Sequence, residues 1–261
     1  MTTRRSIAQI IVDRALQTAP NATATDVRIG LGYAGVVVED DRLGLAAVLR
    51  NDMEPGCTVF SRAGTLAGEK AAVLLKCLAG GTTSMERTLG LATANAILHP
   101  DPPETEEDSI DLMRLTAEDR VGMVGFFGPL VKRIEATGAE LFILELDPRR
   151  PGFKDERQRN EILESASVVI VTATSLLNGT IDGVLDRVCG ARHVVLMGPS
   201  TPLDPLLFEE TPVNHLAGSV GINNGKLLQV VSEGGGTPEM RPWLRYVNLL
   251  HRGKTADRES T

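Results

Sequence analysis

From Arg120 onward one unit recurs, a run of seven or eight mostly apolar residues followed by a stretch with helical spacing. The runs are RVGMVGF (120–126), ELFILEL (140–146), SVVIVTA (167–173), HVVLMGP (193–199) and VNHLAGSV (213–220). A strand with one wet face would place a polar residue at every second position. Near-continuous apolarity demands cover on both faces, which parallel strands obtain from crossover helices. Repeated β-α units of this length predict an α/β fold, a Rossmann-like doubly wound parallel sheet, closing with a helix over 224–232.

The pattern before it differs. DVRIGLG (26–32), GVVVED (35–40) and LGLAAVL (43–49) are short strands with tight glycine connections, which predict an antiparallel meander. LAGEKAAVLLKCLAG (66–80) and TTSMERTLGLATANAIL (82–98) then read as helices, with Thr83 and Glu86 spaced as a capping box. Together with an amphipathic N-terminal helix they make a smaller α+β domain. Between His99 and Asp119 prolines and acids cluster, and repelling carboxylates stay extended in water. The expected organisation is therefore an α+β domain over 1–100, a solvated acidic Pro-rich linker without chemical role over 101–119, and the Rossmann-like domain over 120–261.

Composition narrows the function. A net charge of −7 with 3% aromatic residues gives neither a phosphate-tracking surface nor a stacking platform, so no nucleic-acid partner is expected. Asp13 and Arg14 interrupt the first apolar stretch as no signal peptide would, and no run is long enough to span a bilayer. The expectation is a cytoplasmic protein without a membrane partner. Cys57, Cys77 and Cys189 are far apart and the four histidines show no HxH or HxxxH spacing, so no preformed zinc site is legible. GxSxG and Walker motifs are absent from the sequence.

Ligands of open parallel sheets bind at the carboxyl ends of the strands, so the residues following each run are the candidates. After the first come Gly122, Gly125, Phe126, Phe127, Gly128 and Pro129, a turn that either lets backbone approach a ligand or simply allows a tight bend. Glu145, about 20 residues beyond Gly125, stands where a dinucleotide site places its ribose-binding acid, with Arg149 and Arg150 after it. The third run ends in Thr172, Thr174 and Ser175, followed by Asn178, Gly179 and Thr180, which can cap a helix or hold a polar edge. The fourth delivers the rigid turn Gly198, Pro199, Ser200, Thr201, Pro202. Glu233 precedes three glycines that either close over a site or end a helix. These polar turns are expected to converge on one pocket.

VGMVGFFGPL, TATSLLNGT and GPSTPL, together with LGLATANAIL in the first half, resemble the bacterial and archaeal family of putative heavy-metal chelation proteins. The resemblance covers most of the chain. It implies an enolase N-terminal-like α+β domain before a Rossmann-like one, with the site in the cleft between them. Position by position it selects Gly122, Gly125, Phe127, Glu145, Thr172, Thr174, Asn178, Thr180, Gly198, Pro199, Ser200, Thr201 and Pro202, with Asn95 facing the cleft from the small domain.

Three readings follow. In the first, the cleft binds a small polar ligand, a heavy-metal ion or metal complex being one form of it, with Glu145 and Glu233 as carboxylate donors and the Thr172, Asn178 and Ser200 turns holding polar groups. In the second, an enzyme holds a nucleotide or S-adenosylmethionine type cofactor on the glycine turn. The third is a noncatalytic interaction module on the same scaffold. A homo-oligomer is compatible with each.

Overall fold

The computed structural model describes residues 4–53, 60–98 and 105–253. Cys57, His99 and the polar tail beyond Gly253 lie outside the described residues. Helix α1 (Ile7–Thr18) leads into the meander β1 (Ala24–Ile29), β2 (Tyr33–Val38) and β3 (Arg42–Ala47), followed by α2 (Ala71–Gly80) and α3 (Ser84–Ile97). The three strands pair antiparallel in the order β1-β2-β3. The expected capping box closes α3: Glu86 N–H donates to Thr83 Oγ1 at 3.2 Å, and Thr83 N–H donates to Glu86 Oε2 at 3.1 Å.

β2 is buried along its whole length, and the period of two explains how. Ala34, Val36 and Val38 face the core that contains Leu74, Leu75, Leu78 and Leu89 of α2 and α3. Tyr33 and Val37 face Leu227 and Val231 on the other side. Those two leucine and valine residues belong to a helix of the chain's second half, so the two halves share a core. Glycine at position 44 permits the closest approach, because a Cβ there would lie 2.0 Å from Ala92 O and 2.2 Å from Ala96 N. β3 thus rests backbone to backbone on α3.

The second half contains α4 (Ser109–Met113), β4 (Arg120–Val124), α5 (Gly128–Glu135), β5 (Glu140–Leu144), α6 (Glu156–Ser165), β6 (Val168–Thr172), α7 (Ile181–Leu185), β7 (His193–Met197), β8 (His215–Gly221), α8 (Asn224–Ser232), α9 (Thr237–Met240) and β9 (Leu244–Leu250). The sheet order is β5-β4-β6-β7-β8-β9. All pairs are parallel except β8 with β9. Ile134 of α5 packs with Val121, Met123 and Ile170 on one face, whereas Leu163 of α6 and Leu185 of α7 join Val169 and Val194 on the other. This is the doubly wound α/β arrangement that the apolar runs predict.

Two expectations are corrected. The sequence reading assigns no strand after α8, yet β9 completes the sheet antiparallel to β8. Residues 105–119 are not a solvated linker. Ile110 and Met113 are buried in the core, Thr105 and Asn248 exchange backbone hydrogen bonds at 3.0 and 2.8 Å, and Asp119 is buried against Arg192 at 2.7 Å. Apolar burial and a closed ion pair outweigh the mutual repulsion of the acids. Among the described residues no helix is long and apolar enough to cross a membrane.

Candidate functional site at the carboxyl rim of the parallel sheet

The chain leaves β4 through α5 to β5 on one side and reaches β6 on the other through α6, so the strand order reverses at β4. Helices that depart to opposite faces leave a crevice outside the carboxyl ends at such a point. The turns after β4 and β6 stand where its walls would be. Gly125, with φ of 86°, donates its N–H to Leu144 O at 3.0 Å, and a Cβ on it would stand 2.9 Å from Thr172 Cγ2. Only glycine lets the two turns touch here. Phe126 is exposed beside them, Phe127 packs partly into the core, and Pro129 stands in the first turn of α5.

On the β6 side, Thr172 Oγ1 and Thr174 Oγ1 are 3.0 Å apart, and Thr174 N–H donates to Thr172 Oγ1 at 3.4 Å. Ser175 Oγ donates to Thr172 O at 2.7 Å. Asn178 is exposed, and its Oδ1 accepts from Thr180 N–H at 3.2 Å and Thr180 Oγ1 at 2.8 Å, a local turn that leads into α7. Arg87 of α3 reaches across and donates to Leu177 O at 2.5 Å, tying the first half of the chain to this loop.

Glu145 follows β5 and is only 8% exposed. Its carboxylate has one long contact, 3.4 Å from Arg150 Nη1. The neighbouring Asp147 behaves differently. Hydrogen bonds from the Arg149 side chain and backbone, at 2.9 to 3.0 Å, hold its pKa down to about 2, so Arg149 is already paired. Exposed Leu146 and Phe153 flank this corner.

The turn after β7 has another environment. Ser200 and Thr201 are 2% and 3% exposed. Ala47 N–H of β3 donates to Ser200 Oγ at 2.9 Å, and Asn95 Nδ2 of α3 donates to Ser200 O at 3.0 Å and Leu45 O at 2.8 Å. Thr201 Oγ1 lies 3.3 Å from Ala217 O, and Gly198 N–H donates to the same carbonyl at 2.9 Å. The small lobe sits on this end, and a cavity of about 20 Å³ remains between them, with Asn95, Pro199 and Thr201 in its wall. Pro202 is buried beside it.

The remaining candidates lie elsewhere. Gly122 is buried inside β4, and a Cβ on it would stand 3.6 Å from Ala166 and 3.7 Å from Ile162, so it packs the sheet against α6 instead of lining the rim. Glu233 is the C-cap of α8: Gly234 and Gly235 N–H close on Val231 and Val230 carbonyls at 3.0 and 2.9 Å, and Gln229 Nε2 donates to Glu233 Oε1 at 2.9 Å. Gly234 and Gly235 therefore terminate α8, and Gly236 caps the start of α9. Glu145 follows β5 and Glu233 ends the helix after β8, with β4, β6 and β7 between those strands. At about 4.8 Å per strand, four steps put the two strands roughly 19 Å apart, so the two carboxylates do not form one ligand pair. Among the described residues no group of three or more His, Cys, Asp or Glu converges to hold a metal ion.

At the opposite rim a larger cavity of about 690 Å³ is lined by Arg4, Arg5, Asp186, Ala191, Asn214 and Gly253, among others. Near it, Asn248 Nδ2 donates to Glu107 O at 2.8 Å, which leaves Asn248 Oδ1 to accept from His215 Nε2 at 2.8 Å. His215 Nδ1 must then accept from His193 Nε2 at 2.9 Å. Burial above all, with His215 and the Arg192 charge nearby, lowers the His193 pKa to about 4, and burial lowers that of His215. No spacing rule finds this pair, because the residues meet only through strand pairing.

The architecture defines a two-lobed α/β protein in which an antiparallel α+β lobe covers part of the carboxyl rim of a Rossmann-like sheet. The chain belongs to the family described as "Putative heavy-metal chelation", whose models match residues 12–98 and 108–250. It is 28% identical over 151 residues to an uncharacterised protein of Methanocaldococcus jannaschii, a match covering 55% of this chain and 58% of that relative's length. A crystal structure of a protein of unknown function from Pyrococcus horikoshii superposes with a TM-score of 0.81 at 22% identity, over 94% of this chain and 99% of that one. Another, from Desulfitobacterium hafniense, gives 0.77 at 22% identity, over 92% and 97%. These two likenesses concern the fold.

Proposed function

We propose that the protein binds a small polar ligand at the uncovered part of the rim, in the crevice between the turns after β4 and β6 with Glu145 at its side. The observation that carries this reading is the largely buried Glu145 side chain, whose carboxylate makes a single long contact, next to the point where the strand order reverses. A carboxylate on a largely buried side chain that serves the fold alone is ordinarily closed by short hydrogen bonds. The family's description suggests a metal as part of that ligand. Glu145, Thr172 and Thr174 offer hard oxygen atoms, whereas bare heavy-metal ions favour thiolate and imidazole. The better fit is a metal complex, its ion held by its own chelator and its polar edge by this crevice.

Isothermal titration with free divalent metals and with their carboxylate and hydroxyl chelates tests it. A chelate binding at micromolar concentration, weakened at least tenfold (about 1.4 kcal/mol) by Glu145→Gln, is the expected result. Micromolar binding of a free ion that Glu145→Gln leaves unchanged defeats it. A second reading, a nucleotide or S-adenosylmethionine type ligand used enzymatically, is favoured by one observation: Glu145 directly follows the strand beside β4, where a ribose-binding acid stands. A nucleotide library that leaves the melting temperature unmoved counts against it.

A further inference from the structure

The small cavity between the lobes has a chemistry of its own. Asn95 Nδ2 donates to Leu45 O and Ser200 O, so the amide cannot be flipped without setting its oxygen against two carbonyls. The orientation leaves Asn95 Oδ1 buried with no protein partner, and Ser219 Oγ of β8 is buried in the same condition. Both residues line the same cavity. An acceptor and a hydroxyl left without partners each carry a substantial desolvation cost unless a guest satisfies them.

The guest's size and charge follow from the walls. About 20 Å³ admits one water-sized molecule, for which roughly 10–15 Å³ suffices. Leu43, Leu45, Leu98, Leu203 and Val220 provide most of the remaining lining, with no carboxylate among the lining residues. A cation would need several further oxygen ligands and a compensating charge.

We propose that a single neutral water molecule is bound here, donating one hydrogen to Asn95 Oδ1 and sharing a second hydrogen bond with Ser219 Oγ. It joins α3 of the small lobe to β8 of the large sheet beside the direct Asn95 to Ser200 bond. The lobes are thereby fixed to each other over β7 and β8. The site is independent of the ligand crevice and stands or falls separately from it.

A crystal structure resolving ordered waters, grown with a divalent metal present, tests the assignment. One peak without anomalous signal, about 2.6–3.2 Å from both atoms, is expected. In Ser219→Ala that peak weakens or vanishes, and the melting temperature falls by about 2–4 °C with unchanged circular dichroism. A wild-type map in which either atom bonds to protein, in which the cavity is dry, or in which the peak scatters anomalously as a metal overturns it. Should Ser219→Ala not fold, the wild-type map alone decides.

Discussion

The two parts of the carboxyl rim carry similar residues under different cover. After β4 and β6 the turns supply glycine, threonine and asparagine, and their hydroxyls bond mainly to each other or to their own loop. After β7 the turn supplies glycine, serine and threonine, and the small lobe lies on it so closely that the Ser200 oxygens receive Ala47 N–H and Asn95 Nδ2. A hydroxyl at a strand end is therefore not a ligand group by virtue of its position. What lies above it determines its partner: backbone of the other lobe at Ser200, and on the other side its own loop, which the small lobe reaches through Arg87 at Leu177 O, with an under-bonded carboxylate beside it.

The largest effect that would sharpen this contrast is steric. Gly44→Ala drives a Cβ into the Ala92 and Ala96 backbone, where neither chain can yield without separating β3 from α3. A loss of about 3 kcal/mol or more is expected in urea denaturation. Gly179→Ala, in the loop after β6, meets no atom within 4 Å and bears only its φ of 71°, a cost of about 1–2 kcal/mol. Equal losses would show that the covered and uncovered parts are equally constrained.

Next is the hydroxyl pair. Ser200→Ala leaves the buried Ala47 N–H without its acceptor and is expected to cost about 1–3 kcal/mol. Thr174→Ala removes a half-buried hydroxyl whose contacts stay within its own turn, for about 0.5–1 kcal/mol. The reverse order in chemical denaturation would break the comparison.

How much of this was legible follows from which interactions each residue makes. The five apolar runs, the meander and the α3 capping box depend on local periodicity and caps, and the structure contains them all. β9 was not legible. LRYVNLL mixes Arg245, Tyr246 and Asn248 into a strand that is antiparallel at the sheet's edge, and Asn248 is buried because it serves His215 and Glu107. The role of Ser200 was equally hidden, since its partner is a backbone N–H 153 residues away that leaves no mark in the sequence. Glu233 was ambiguous for a different reason: an acid before three glycines is compatible with a lid or a helix end, and only the Val230 and Val231 carbonyls distinguish them.

Acid provides a further test, because the titrating pair sits under the covered strands. His193 and His215 are held neutral, with folded pKa values below the ordinary 6.5 and about 4 for His193. The unfolded chain therefore takes up protons first as pH falls. Stability is full above about 6.5 and declines through the window down to about 4, returning on neutralisation. Replacing His193 by Gln should flatten that decline in pH-dependent denaturation. Ligand affinity at the crevice should not follow the same curve above pH 5, and a matching curve would couple the two regions that the contacts separate.

The smallest effect on stability belongs to Glu145→Gln, and it separates a functional carboxylate from a structural one. Its contact with Arg150 is 3.4 Å long, and the Arg150 side chain is 55% exposed, so the pair contributes little. The expected change in unfolding free energy is therefore within about 1 kcal/mol and of either sign, while chelate affinity falls at least tenfold. A loss of stability as large as that of Ser200→Ala would mean that the fold relies on this carboxylate. The uncovered part of the rim would then be as structural as the covered part, and the crevice would have no group reserved for a ligand.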